Sequence, residues 1–147
     1  MLVENLKTLL ATDYAFMLKC QFFHWNVEGP NFLQLHDFFE KIYEDIEENS
    51  IDQTAEMIRM LDEYAPGSME RFVELSLIPG QLRIPKANLM LKEAFDDCEI
   101  IIDHLKTCFE SAETENNQGA ADFVSSRIDA VKKHRWMIKS FMREDRA

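Results

Sequence analysis

His24, His36, Glu40, Asp52 and Glu56 are the residues whose types and spacing could do chemistry together. Imidazole and carboxylate donors in one set suit a first-row metal such as iron. His36 and Glu40 stand four apart, as do Asp52 and Glu56, so on a helix each pair shares one face. In an unbroken helix Glu40 and Asp52, the facing members of the two pairs, would differ by about 120° around the axis. One extra residue looped out as a π-bulge cuts that to about 20°. The pairs would still lie about 17 Å apart along the axis, too far to hold one metal within one chain. Two such helices packed antiparallel about a two-fold axis would set His36 and Glu40 of one copy against Asp52 and Glu56 of the other. The segment reads as half of a metal site that a second copy completes.

The intrachain alternative is a di-iron site built on Glu-x-x-His, with both ligands on one helix face. It needs a Glu three residues before a histidine. The positions three before His24, His36, His104 and His134 hold Gln21, Leu33, Ile101 and Val131. A site of that type is not expected.

Long helices must position these residues. Gly and Pro number four each in 147 residues, which leaves few places to turn. Leu2, Leu6, Leu9, Leu10, Tyr14, Met17, Phe22 and Phe23 recur at helical spacing, predicting a first helix from Leu2 to about Val27. Gly29-Pro30 ends it, and Asn31 is placed to cap the next helix. That second helix is expected to run to about Tyr64. Its apolar stripe is Phe32, Leu35, Phe38, Phe39, Ile42 and Ile46, then Ile51, Ala55, Ile58 and Leu61. The five-residue step from Ile46 to Ile51 breaks the period. It asks for the same one-residue bulge, between about Glu44 and Ile51, that the candidate ligands asked for independently. Ser68 should cap a short helix through about Leu75, and residues 78–85 should form a loop. Further helices are expected from about Lys86 to Ser111 and from about Ala120 to Met142. The fold class is therefore all-α, one domain over residues 1–147. It is a four-helix ferritin-like bundle, with a short helix in the long crossover between the second and third long helices.

Bulk properties narrow the function classes. The formal net charge of -11 repels nucleic-acid phosphates and attracts cations. Cys20, Cys98 and Cys108 form no CxxC pair and no disulfide-like framework, and read as packed, reduced thiols. No signal peptide or membrane span is visible, so a cytoplasmic protein is expected.

The central segment resembles the signature of the Dps family (DNA-protection-during-starvation proteins, or miniferritins). The matching residues are His24-Trp25-Asn26-Val27, Gly29, Phe32, Leu35-His36, Phe39-Glu40, Tyr43, Asp52 and Ala55-Glu56. Weaker matches are Pro66-Gly67-Ser68 with Phe72 and Glu74-Leu75, and Lys133 through Met137. The resemblance implies a bundle that assembles as a hollow homo-dodecamer. It implies ferroxidation of Fe(II) by hydrogen peroxide or dioxygen, storage of ferric mineral, and protection from oxidative damage. It implies iron ligands at two-fold interfaces: His24, His36 and Glu40 from one subunit, Asp52 and Glu56 from its partner. Asp122 and Asp129 would line a cation pore at a three-fold axis.

Two departures from the family pattern matter. Glu40 stands where the family often has Asp, and the spacing to Asp52 is one residue longer. Without a bulge, Ile51 would take the place of the carboxylates. DNA binding is not expected, because no Lys/Arg-rich terminal extension is present and Arg143 and Arg146 are offset by Glu144 and Asp145. The alternative reading is a Dps-like cage with weakened ferroxidase activity that binds DNA or another macromolecule. His104 and His134 read as ordinary helix residues, the Met residues as core, and Trp25 and Tyr43 as interface packing. The acidic run Glu44, Asp45, Glu47, Glu48 reads either as a solvated face or as cavity lining.

Overall fold

The computed structural model describes residues 1–143. Its elements are α1 (Leu2–Asn26), α2 (Phe32–Ile46), a π turn (Glu47–Ile51), α3 (Asp52–Met60), α4 (Met69–Leu75), α5 (Ala87–Thr114) and α6 (Gln118–Met142). α2, the π turn and α3 form one continuous second long helix, so α1, this helix, α5 and α6 make the four-helix bundle. α4 lies in the crossover and packs on α1. The all-α ferritin-like architecture is the expected one.

Each boundary has a local cause. Gly29 adopts φ +118°, a region that side chains with a Cβ rarely enter, and turns the chain between α1 and α2. Asn31 occupies the N-cap position of α2, but its side chain makes no capping bond; its backbone carbonyl accepts from Leu35 N at 3.0 Å. Ser68 caps α4 as expected, accepting from Arg71 N at 3.2 Å. α3 stops at Met60, four residues short of Tyr64, where Asp62 turns to φ 64°. α5 runs three residues past Ser111, and Asn117 caps α6 by accepting from Ala120 N at 3.0 Å.

The core is apolar along α1, α2 and α5, with Leu6, Leu9, Phe16, Phe23, Phe39, Ile42, Ile101 and Ile102 all buried. Phe32, read as part of the stripe, is 43 % exposed. After the π turn the stripe changes character. Ser50, Thr54 and Ile58 are fully buried, while Ile51 and Ala55 lie only partly covered at its flank. The extra residue is thus absorbed inside the expected interval, but the row it turns inward is led by a serine and a threonine.

Charged groups also lie inside. Lys19 on α1 and Asp97 on α5 form a buried ion pair. Arg127 on α6 forks onto both carboxylate oxygens of Asp45 at 3.1 and 2.9 Å, and His134 Nε2 meets the same carboxylate at 2.7 Å. Burial alone would raise the Asp45 carboxyl, but the His134 and Arg127 hydrogen bonds and the guanidinium charge hold it well below the usual range. Asp45 is therefore a structural ion-pair residue and does not belong to the exposed acidic face with Glu44, Glu47 and Glu48.

Candidate metal centre

α1 and α2 bring His24 and His36 together. Their rings stack 15° from parallel with centroids 3.8 Å apart. His24 Nδ1 lies 2.7 Å from the His36 carbonyl, and His36 Nδ1 lies 2.7 Å from the His24 carbonyl. A carbonyl oxygen can only accept, so each Nδ1 carries the proton and donates. In the neutral ring that leaves Nε2 with a free lone pair, the form in which imidazole binds a metal. The two backbones thus set the tautomer of each other's side chain. Phe32 stacks on His36 at 5.1 Å and Tyr43 meets His24 edge-on at 5.4 Å, so aromatic rings hold the imidazoles on two sides.

Glu40 follows His36 by one helical turn and is half-buried. It also faces Glu44. The Glu44 carboxyl is raised by partial desolvation, then by repulsion from Glu40 and by a hydrogen bond with it. Tyr43 is raised by desolvation and by the charges of Glu40 and Glu44. The row His36, Glu40, Glu44 is continuous at four-residue spacing, and that spacing is the signal by which Glu44 could have been added to the candidate ligands.

Asp52 and Glu56 are exposed on α3, beyond the π turn. Taking about 100° per residue and each buried row as reference, the two ligand pairs lie about 60° apart around the helix axis. On the same reckoning an unbroken helix gives about 160° and an idealised one-residue bulge about 60°, so the turn supplies the rotation of one extra residue. Within one chain the structure unites the two histidines with Glu40 nearby and leaves Asp52 and Glu56 apart. Among the described residues of a single chain, no three His, Cys, Asp or Glu side chains are grouped to hold a metal ion.

The other chemistry-bearing residues have structural partners. Cys20, one turn before His24, is fully buried, and Cys98 and Cys108 are buried free thiols as well. Burial pushes the Cys98 thiol far above the reactive range, and Cys108 up to about 12. His104 Nε2 donates to the Asn5 carbonyl at 2.8 Å, and burial lowers its pKa. Asp122 and Asp129 are exposed on α6. Glu144, Asp145 and Arg146 of the tail lie outside the described residues.

Beside the histidines, α1 and the crossover enclose an apolar groove of about 400 Å³, lined by Tyr14, Leu18, Phe22, Trp25, Phe72 and Val73 among others. Trp25 is 59 % exposed there and Leu18 51 %. No helix among the described residues is long and apolar enough to cross a membrane.

Comparison with known proteins agrees with this architecture. A family model described as "Ferritin-like domain" matches residues 3–147. An uncharacterized low temperature-induced protein of Nostoc sp. is 35 % identical over 135 residues, covering 90 % of this chain and 75 % of the relative. DNA protection during starvation protein 2 of Bacillus anthracis is 28 % identical over 142 residues, covering 97 % of each chain. The crystal structure of Dps from Staphylococcus aureus superposes with a TM-score of 0.94 at 28 % identity, covering 98 % of this chain and 96 % of that one. The chain belongs to the Dps family within the ferritin-like superfamily.

Proposed function

We propose that this protein is an iron-storage and detoxification protein whose ferroxidase sites are shared between subunits. Membership in the family supports iron storage and protection of DNA as the general role. The observation that carries the finer reading is the reciprocal clasp of His24 and His36, which leaves both Nε2 atoms free while spending both Nδ1 protons on backbone carbonyls. His24, His36 and Glu40 of one subunit face Asp52 and Glu56 of the partner subunit across a two-fold axis. Fe(II) is the substrate. Two Fe(II) give up one electron each, and hydrogen peroxide accepts both with two protons to leave as two waters; dioxygen is the other candidate oxidant. The imidazoles and carboxylates bind and orient the ion and balance its rising charge. The assembly is a cytoplasmic homo-dodecamer, a hollow shell that keeps the ferric product as mineral. Its two-fold contact buries the apolar groove around Leu18 and Trp25, next to the histidines. DNA binding is not part of this reading, given the net charge of -11.

The test is anaerobic loading of metal-free protein with Fe(II), then peroxide, following near-ultraviolet absorbance of Fe(III). Rapid oxidation with iron kept soluble, lost in His24→Ala/His36→Ala, is the expected result. Oxidation no faster than in buffer, or unchanged in the double variant, would overturn it.

A further inference from the structure

We propose that Asp13 is a positioning residue for the carboxylate half of the site: by accepting a hydrogen bond from Ser50 it holds open the wide turn in which the second long helix absorbs its extra residue, and so sets the direction in which Asp52 and Glu56 point. This inference rests on the ligand assignment above, and goes beyond it by naming what holds the register.

Ser50 lies inside the π turn and is fully buried. Its hydroxyl donates to Asp13 Oδ2 at 2.5 Å, across from α1. Asp13 is 4 % exposed, and among the described residues Ser50 is its one hydrogen-bond donor. Burial pushes the Asp13 carboxyl up to about 6, against the Ser50 hydrogen bond and the nearby Arg127 charge, which pull it down. A buried carboxyl deprived of its donor is costly.

The helix can instead run on regularly without the wide turn, a move that rotates everything beyond it by about 100°. Such a move takes Ser50 out of the core and orphans Asp13. It also turns Asp52 and Glu56 away from the side they share with His36 and Glu40. Hydrophobic burial alone specifies this register weakly. The inward row after the turn is Ser50, Thr54 and Ile58, with Thr54 Oγ1 buried and without a partner among the described residues, while Ile51 stays only partly covered. A regular helix would turn Asn49, Gln53 and Met57 to that side instead, again with one apolar residue in the row. The polar contact to Asp13 is what favours the observed turn over that competitor.

Co(II) serves as the probe, titrated into the assembled, metal-free protein and followed by its visible absorption. Hydrogen exchange of residues 44–56 is measured on the same variants without metal. Ser50→Ala should weaken Co(II) binding about tenfold, the factor that goes with one hydrogen bond to a charged group, and should speed exchange in the π turn by a similar factor. Asp13→Asn keeps an acceptor for Ser50 and should bind within about twofold of the native chain. Deleting the exposed Asn49 restores a regular helix with Glu40 and Asp52 about 20° apart around the axis. In that background Ser50→Ala should change neither readout.

The proposal is overturned if Ser50→Ala leaves exchange and binding unchanged in the native-length chain, or impairs both backgrounds equally. A native chain that binds no Co(II) would refute the ligand assignment alone, because exchange in Ser50→Ala and Asp13→Asn still decides whether the pair holds the turn.

Discussion

Lys19 Nζ and Asp97 Oδ2 form an ion pair at 2.7 Å between α1 and α5, with only 5 % and 7 % of the two side chains exposed. Desolvation raises the Asp97 carboxyl, and the Lys19 hydrogen bond and charge offset part of that rise. Removing one partner strands the other in the core. Lys19→Met should therefore destabilise the fold by about 3–5 kcal/mol, and Lys19→Met/Asp97→Leu should recover most of the loss. Denaturant unfolding of the two single variants and the double variant checks this; additive losses would mean that the pair is not coupled.

Asp13 makes stability depend on pH in a stated direction. Its folded-state pKa, about 6, lies above the ordinary 3.8, so the folded protein holds the proton more tightly than the unfolded one. Stability then falls as pH rises from about 4 to about 6, and the penalty is fully present above that window. Asp13→Asn removes the titration while keeping an acceptor for Ser50. It should raise the thermal midpoint at pH 7.5, with a gain of up to about 3 kcal/mol, and give no gain near pH 4. A gain that is the same at both pH values would rule out Asp13 as its source.

The His24–His36 clasp predicts unequal consequences for conservative changes. Gln in place of His36 can still donate to the His24 carbonyl but offers no imidazole Nε2. His36→Gln should fold normally by circular dichroism and lose Fe(II) oxidation by at least roughly tenfold, the scale of losing ligand support at a metal. Retained activity would remove His36 from the ligand set.

Leu18 tests the shared character of the site without touching a candidate ligand. It is half exposed in the apolar groove beside Trp25. Across a two-fold axis Leu18→Asp places a charge from each subunit on the same desolvated patch. Light scattering should show smaller species, and oxidation should fall with assembly. A variant that stays assembled would move the two-fold contact away from this face.

Much of this protein was legible in the chain itself. The long helices arise from apolar residues at spacings of three and four and from the scarcity of Gly and Pro. Ser68 as a cap and the turn at Gly29 come from local chemistry that needs no distant partner. Even the π turn was visible, because the Ile46-to-Ile51 step breaks a period that nothing else in the segment explains. These are properties of one helix, and a helix is a local structure.

What only the tertiary structure decided are the pairings between helices. His24 and His36 are twelve residues apart on separate helices, and their crossed hydrogen bonds depend on how closely α1 and α2 approach. Asp45 is one acidic residue among several in the sequence, and only the arrival of Arg127 and His134 from α6 separates it from its exposed neighbours. Ser50 reads as a surface residue until Asp13 is found opposite it. Periodicity identifies the face a helix turns inward when that face is apolar. It is blind to a polar residue turned inward by a single buried partner, because the energy of that contact belongs to two distant positions at once.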